Sequence, residues 1–216
     1  PKGSRILDIG CGIGGSARIL ARDYGFDVLG ISISPEQVDR ASQLTPDSLT
    51  CSFEIMDALN LNLENESFDG VWSVEAGPHM SDKQLYANEM LRVLRPGGVL
   101  AVADWNRREF VDKPISKVES IVMNQLLTQW THPEFASIKG FRNNLINSPF
   151  CEGAVDVDDW TKYTIKSWNE SIDLFLTSYP VNNKESIGIF CVGNIDEQIL
   201  NQINQYLKER FLDRKF

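Results

Sequence analysis

The sequence is poor in residues that bind metals or form disulfides. Its four cysteines lie far apart without a Cys-x-x-Cys pair, and the 216 residues include only two histidines. We therefore expect reduced thiols and no metal site. No run approaches the roughly 18 consecutive apolar residues of a membrane-spanning helix, and the first five residues show no signal-peptide pattern. These absences argue against a transmembrane protein.

Basic residues are also in deficit. Twenty-one lysines and arginines face thirty aspartates and glutamates, which gives a formal net charge of −9. Such a chain would be repelled by the phosphates of a nucleic acid, so we expect no nucleic-acid partner. The 42% hydrophobic and 24% charged residues are typical of a globular protein, and we expect a single domain over residues 1–216.

Strands and helices are predicted to alternate over the first half of the chain. Hydrophobic patterns predict strands at residues 5–9, 27–33, 52–56, 68–74 and 99–103. Helices are predicted between these strands, with capping sequences that begin at Ser34 and Ser81. This alternation predicts an α/β fold with a doubly wound, mostly parallel, Rossmann-like sheet, whose ligand lies where the strand order reverses.

The second half of the chain has a different pattern. Residues 106–150 are mixed helical sequence, which we interpret as a helical lid inserted over the carboxyl edge of the sheet. Residues 154–160 and 187–192 are predicted to return to the sheet. Apolar positions from Ile195 to Phe211 predict a closing amphipathic helix.

The glycine-rich stretch after the first strand carries the strongest chemical signal. It reads Asp8-Ile9-Gly10-Cys11-Gly12-Ile13-Gly14-Gly15, and its glycines let the backbone approach a ligand closely. The spacing also fits a dinucleotide loop. However, Asp8 suits a ligand with an ammonium group, and the second strand ends without the acidic residue that would bind a dinucleotide ribose. S-adenosylmethionine is favoured, while an NAD-dependent oxidoreductase and a non-catalytic adenosyl-binding module remain alternatives.

Residues 7–15 resemble motif I of the class I S-adenosylmethionine-dependent methyltransferases. The resemblance covers about residues 1–165 and extends to the quinol and tocopherol methyltransferases through residues 72–80, 94–98, 103–106 and 125–138. It implies S-adenosyl-L-methionine as cofactor and methylation of a ring carbon of a prenylated hydroquinone, of the 2-methyl-6-phytylbenzoquinol type, in tocopherol and plastoquinone biosynthesis. Methylation of γ-tocopherol, a sterol or a small molecule remains an alternative.

The resemblance implies cofactor contacts at the end of each of the first four strands. The methionine end of the cofactor would meet the glycine loop, the ribose the end of strand two, the adenine the end of strand three, and the methionine moiety also strand four. The implied residues are Asp8, Gly10, Cys11 and Gly12; Ser32, Ile33 and Gln37; Asp57 and Ala58; and Ser73. For Asp57, a role as a turn residue is the alternative.

Carbon methylation of a hydroquinone requires a base for the phenol proton and later for the ring proton. His79 and Glu75 follow strand four, and either could take that proton. His79 is the first choice, although it could instead cap its loop. Asp104 and Trp105 end strand five and are expected to form a substrate wall. Trp130 in the lid is a further substrate candidate, with a core position as its alternative.

The resemblance also sets expectations for location and for the extent of the chain. The N-terminal helices of the family are absent, and the chain begins without an initiator methionine, so we expect a piece of a longer protein. A prenylated quinol resides in lipid, so we expect peripheral contact with a membrane. The expected compartment is cytoplasmic or plastid-type.

Overall fold

A computed structural model of the chain describes residues 1–129, 132–164 and 166. Five parallel strands form one sheet in the order β3-β2-β1-β4-β5. The strands are β1 Arg5–Ile9, β2 Asp27–Ser32, β3 Cys51–Ile55, β4 Phe68–Val74 and β5 Leu94–Ala103. The helices are α1 Gly15–Tyr24, α2 Pro35–Leu44, α3 Lys83–Arg92, α4 Lys117–Gln129 and α5 Ile138–Ile146. This architecture confirms the predicted fold class.

Local sequence explains where the helices begin. Ser34 caps α2 as predicted, because its Oγ accepts a hydrogen bond of 3.2 Å from the N–H of Gln37. The cap of α3 is Asp82, one residue after the predicted Ser81, and its Oδ1 accepts from the N–H of Leu85 at 2.9 Å. The short side chains of both caps satisfy N–H groups that the first helical turn leaves unpaired.

Strand β5 begins five residues before its predicted start. Leu94 already pairs with Phe68, and the register then shifts so that Val99 pairs with Gly70. The irregular Leu94–Gly98 stretch therefore belongs to the strand, because a bulge absorbs its extra residues. Pattern analysis had placed only the uniformly apolar part, residues 99–103, in the strand.

The two faces of the sheet carry separate apolar clusters. Side chains alternate across a strand, so Leu7 and Ile9 of β1 join Tyr86 and Met90 of α3 on one face. On the opposite face, Ala17 and Ala21 of α1 join Val28 of β2. The strand order reverses between β1 and β4, so the fold predicts a ligand site at the carboxyl ends of these two strands.

The chain divides into two compact units. The first comprises residues 1–104 and 140–156, and the second comprises residues 105–139 and 157–216. Phe141 and Leu145 of α5, within the predicted lid of residues 106–150, pack into the core of the first unit. Residues 154–160 form no strand. The strand and helix predicted after residue 166 lie outside the described residues.

Within the described ranges, every helix is too short or too polar to cross a lipid bilayer.

Candidate functional site

Three glycines shape the loop between β1 and α1. Gly10, Gly12 and Gly14 have φ angles of 72°, 54° and 76°, in the left-handed region that favours glycine. A Cβ on Gly10 would lie 2.5 Å from the Cβ of Ala76, so the loop presses against the turn after β4. A Cβ on Gly12 would meet no atom of the described residues within 4 Å. The loop is therefore tightly packed at Gly10 and open at Gly12, as a ligand cradle requires.

Asp8 lies buried beneath this cradle. Its Oδ2 accepts a hydrogen bond of 2.7 Å from Ser16 Oγ, and its carboxylate also accepts from the N–H of Ala17. Burial raises the pKa of Asp8 from 3.8 to about 6, although both hydrogen bonds oppose this increase. A carboxylate has about four acceptor positions, so Asp8 braces the start of α1 and retains capacity to accept from a cationic ligand.

The end of β2 brings three predicted cofactor residues together. Ser32 Oγ donates to Gln37 Oε1 at 2.7 Å and accepts from the N–H of Ser34 at 3.2 Å. Ile33 follows with 74% of its surface exposed, which is unusual for an isoleucine next to a sheet core. Ser32 and Gln37 can form hydrogen bonds with a sugar, and the exposed side chain of Ile33 can pack against an aromatic base. The end of β2 is therefore suited to a nucleoside.

Asp57 and Ala58 follow β3, and the first is exposed while the second is buried. Asp57 is exposed, and its Oδ1 accepts a hydrogen bond of 2.9 Å from the N–H of Leu59. This is the turn role that was the alternative for Asp57, and its second carboxylate oxygen remains available. Ala58 has its side chain in the apolar core, so only its backbone is suited to contact a ligand.

Ser73 lies at the end of β4, and its hydroxyl is used within the fold. Its Oγ donates to the carbonyl of Ile9 at 3.0 Å and shares a hydrogen bond of 2.6 Å with the hydroxyl of Tyr86. Ser73 is fully buried, so its hydroxyl serves the packing of β4 against β1 and α3. Tyr86, a fully buried residue of α3, was not predicted from the sequence.

The turn after β4 presents both proposed bases. Glu75 has a φ of 58°, a rare conformation for a residue with a side chain, and its N–H donates to the carbonyl of Ala103 at 2.8 Å. A 3-10 turn at Gly77–His79 follows. The side chains of Glu75 and His79 are exposed at this edge of the sheet. Backbone strain of this kind is often found at functional sites.

Asp104 and Lys83 hold this turn in place. Asp104 Oδ1 accepts from the N–H of Gly77 at 3.1 Å, and Lys83 Nζ donates to the carbonyls of Met80 and Pro78 at 2.5 and 3.3 Å. Burial raises the pKa of Asp104 from 3.8 to about 6, while the nearby Lys83 charge lowers it. Asp104 therefore supports the turn, and its predicted contact with substrate stays a prediction.

Three predicted site residues remain: Cys11, Trp105 and Trp130. Cys11 is buried, and this burial, together with the negative charge of Asp8, raises its thiol pKa to about 12. The thiol therefore stays protonated and is not a nucleophile. Trp105 belongs to the second unit, where its ring centroid lies 6.2 Å from that of His132. Trp130 lies outside the described residues.

Phe53 of β3 is a support that the sequence did not reveal. A Cβ on Gly14 would lie 2.5 Å from the Phe53 ring, and one on Gly30 would lie 2.6 Å from it. The ring therefore fills the space left by two glycines, one of them in the ligand loop. An aromatic residue in a strand is so common that its position alone carries no functional signal.

The site fits S-adenosylmethionine on three structural observations. The glycine loop is open at Gly12, a buried carboxylate lies beneath it, and α1 begins without a side-chain cap of its own. Uncapped N–H groups at a helix start suit the carboxylate of an amino-acid moiety, and Asp8 suits an ammonium group. In the described residues, no cluster of three or more His, Cys, Asp or Glu side chains is arranged to hold a metal ion.

Comparison with known proteins agrees with this geometry. Residues 7–102 match the family described as a methyltransferase domain. These residues carry a methyltransferase domain of that family. The family match decides between the two interpretations of the glycine loop, against the NAD-dependent oxidoreductase.

Two curated relatives are similar to the chain over most of its length. The chain is 55% identical over 172 residues to a 2-methyl-6-phytyl-1,4-hydroquinone methyltransferase from Synechocystis, covering 80% of this chain and 54% of the relative. It is 33% identical over 178 residues to a chloroplastic tocopherol O-methyltransferase from Arabidopsis thaliana, covering 80% and 51%. The chain therefore spans about half the length of these curated relatives.

A solved structure supports the fold alone. Phosphoethanolamine N-methyltransferase 2 from Haemonchus contortus, in complex with S-adenosyl-L-methionine, matches with a TM-score of 0.68 and 19% identity. The match covers 98% of this chain and 45% of that one.

Proposed function

We propose that this chain is the catalytic part of a methyltransferase that methylates a ring carbon of a prenylated hydroquinone, of the 2-methyl-6-phytylbenzoquinol type. The product would enter tocopherol and plastoquinone biosynthesis. The observation that carries this proposal is the 55% identity to the Synechocystis hydroquinone methyltransferase over 80% of the chain. The tocopherol O-methyltransferase relative, at 33% identity, makes γ-tocopherol the second acceptor to test.

Methyl transfer depends mainly on position. When bound, S-adenosylmethionine supplies a methyl group made electrophilic by its sulfonium, so the protein must hold the acceptor carbon near that methyl group. Gly10 and Ala76 fix the ends of β1 and β4 against each other at the point where the strand order reverses. A site at this junction is supported on both sides by sheet strands, which favours precise positioning.

Proton removal has two proposed residues. A ring carbon of a hydroquinone becomes nucleophilic when the neighbouring phenol loses its proton to a base. The methyl–sulfur bond of the donor would break as the methyl–carbon bond forms, and S-adenosylhomocysteine would leave. The same base, or a second one, then removes the proton from the methylated carbon. Two protons leave in all, and the phenol later regains one. His79 is the proposed base, and Glu75 lies four residues before it on the same exposed turn.

Asp104 has a different proposed role. It is half-buried and accepts a hydrogen bond from the N–H of Gly77, which lies between the two proposed bases in sequence. We therefore propose Asp104 as a positioning residue that holds the turn and the two exposed side chains on it.

The test is an assay of methyl transfer from labelled S-adenosylmethionine by the full chain. The acceptors are 2-methyl-6-phytylbenzoquinol, γ-tocopherol and a sterol, each in detergent. We expect methylation of the quinol and little methylation of the other two. Preferred methylation of γ-tocopherol would overturn the acceptor assignment, and cofactor binding without turnover on any acceptor would indicate a non-catalytic adenosyl-binding module.

Variants of the two bases test the assignment of roles. We expect His79→Gln to lower kcat by roughly 10²- to 10⁴-fold, the usual contribution of a general base, with cofactor affinity unchanged in calorimetry. Glu75→Gln is compared with Glu64→Gln, an exposed glutamate away from the site. A His79→Gln enzyme with full kcat would show that another group takes the proton.

The location is also part of this proposal. The plant relatives are chloroplastic by name, and a phytyl chain partitions into lipid. We propose that the whole protein works at a membrane surface in a cytoplasmic or plastid-type compartment. Recovery of the full-length protein entirely away from membranes after gentle lysis would contradict this.

A further inference from the structure

A loop in the second unit exposes apolar side chains to solvent. Residues 111–117 are all exposed, and the segment from 111 to 121, called here the docking loop, continues into the first turn of α4. Val111 is 84% exposed, Ile115 41% and Ile121 57%. Three large aliphatic side chains exposed within eleven residues form the kind of surface that contacts a partner.

A buried ion pair fixes the base of the docking loop. Arg108 donates from Nε to Glu119 Oε1 at 2.6 Å and from Nη2 to Oε2 at 2.8 Å, and both side chains are largely buried. The same guanidinium donates to the carbonyls of Lys113 and Pro114 at 2.5 and 3.1 Å. One arginine therefore ties the middle of the loop to the first turn of α4.

The end of the loop is fixed again at the start of α4. Glu119 Oε2 accepts from the N–H of Ser116 at 2.7 Å, and Ser116 Oγ accepts from the N–H of Glu119 at 3.2 Å. This reciprocal arrangement is a capping box. With Lys113, Pro114 and Ser116 held, the loop is preorganised around the exposed Ile115, which reduces the ordering cost of binding.

Charge favours an anionic surface as the partner. Lys113 and Lys117 are exposed on the docking loop, against one exposed acidic residue there, Asp112. The whole chain has a net charge of −9, so this segment differs in sign from the average surface. Lys117 and Ile121 are four residues apart on α4 and share one face of the helix. Lysines beside exposed aliphatic residues are typical of segments that lie on a lipid headgroup layer.

We propose that the docking loop binds the surface of a bilayer that contains anionic lipids. Val111, Ile115 and Ile121 enter the headgroup region, and Lys113 and Lys117 contact lipid phosphates. This inference rests on the proposed function, because a prenylated acceptor dissolved in lipid gives the enzyme a reason to bind a membrane.

The test measures binding of the full chain to vesicles by sedimentation. Vesicles of phosphatidylcholine with phosphatidylglycerol are compared with vesicles of phosphatidylcholine alone. We expect the double variant Val111→Asp with Ile115→Asp to lose about tenfold or more in partitioning to both kinds of vesicle. Lys113→Glu with Lys117→Glu should lose binding mainly to the anionic vesicles. Val157→Asp, an exposed valine outside the loop, is the matched control and should bind as the original chain does.

Turnover is measured separately, on a short-tailed, water-soluble quinol without vesicles. The docking proposal is supported if the loop variants keep this turnover and lose vesicle binding. It is overturned if the original chain binds vesicles no better than the double aspartate variant, or if binding needs a membrane protein rather than lipid. Intact vesicle binding with no methylation of any quinol would instead overturn the proposed function and leave the docking loop standing.

Discussion

The N–H of Gly77 donates a hydrogen bond of 3.1 Å to Oδ1 of Asp104, joining the turn after β4 to the end of β5. The two residues are so close that a Cβ on Gly77 would overlap the Asp104 carboxylate. The contact thus requires a glycine at position 77. Because Glu75 and His79 flank Gly77, the position of both proposed bases depends on this contact.

We therefore expect Gly77→Ala to displace the turn. Overpacking of this kind costs about 1–3 kcal/mol of stability, and misplacing the bases should lower kcat by at least about tenfold. Thermal denaturation and steady-state kinetics measure the two effects. Gly153→Ala is the control, since a Cβ there meets no atom of the described residues within 4 Å. Unchanged kcat in Gly77→Ala would show that the turn does not position the bases.

Cofactor affinity should depend on pH through Asp8. Its pKa is raised to about 6 by burial, so the carboxylate becomes protonated as the pH falls below that value and can no longer attract an ammonium group. We expect the affinity for S-adenosylmethionine to fall by up to about tenfold for each pH unit below 6. Calorimetric titration between about pH 7.5 and about pH 5 measures this.

The same residue has the opposite effect on stability. Because the folded pKa of Asp8 lies above its ordinary value of 3.8, its stabilising contribution is full below pH 3.8 and is lost as the pH rises through about 6.

Asp8→Asn should bind the cofactor weakly at every pH and lose the pH dependence of affinity. An unaltered pH dependence in Asp8→Asn would assign it to another group.

Tyr86 should stabilise the junction of β1 and β4. Removing its hydroxyl in Tyr86→Phe leaves the buried Ser73 Oγ with only its bond to Ile9, and we expect a loss of about 1–2 kcal/mol in the free energy of unfolding. Denaturant unfolding measures it. Tyr24→Phe is the matched control, because Tyr24 is mostly exposed and should change stability by less than about 0.5 kcal/mol. Equal effects in the two variants would contradict a structural role for the Tyr86 hydroxyl.

The Arg108–Glu119 pair should make stability depend on acid. The Arg108 hydrogen bond lowers the pKa of Glu119 from 4.5 to about 2, so the pair stabilises the fold fully above pH 4.5 and this contribution is lost as the pH falls through about 2. Glu119→Gln should lower the free energy of unfolding by about 1–3 kcal/mol at neutral pH. Unfolding curves of both proteins should converge in acid. A constant difference down to the lowest measurable pH would mean that Glu119 acts through packing.

Much of the fold follows from local patterns. Strand and helix periods, the Ser34 cap and the glycines after β1 depend on residues close in sequence, so they predict the α/β alternation and the place of the ligand loop. The predicted start of β5 was wrong, because pairing with a strand distant in sequence determines where β5 begins. The residues before Val99 look like a turn, yet pairing with Phe68 makes them part of β5.

Some features of the candidate site could likewise be predicted from the sequence, and others could not. The sequence by itself determined the α/β class, the glycine loop, the position of Asp8 at the end of β1, and the positions of Glu75 and His79 after β4. These are properties of single segments, read from spacing and chain order.

Only the tertiary structure decided which side chains meet. Asp104 is 27 positions from Gly77 in sequence, and Ser73 is 64 positions from Ile9. Whether a side chain faces a ligand or supports a turn depends on the register of neighbouring strands and on the space left by glycines, and no single segment contains that information. The contact of Asp104 with Gly77, and the contacts of Ala76 and Phe53 with the glycine loop, could not be predicted for this reason.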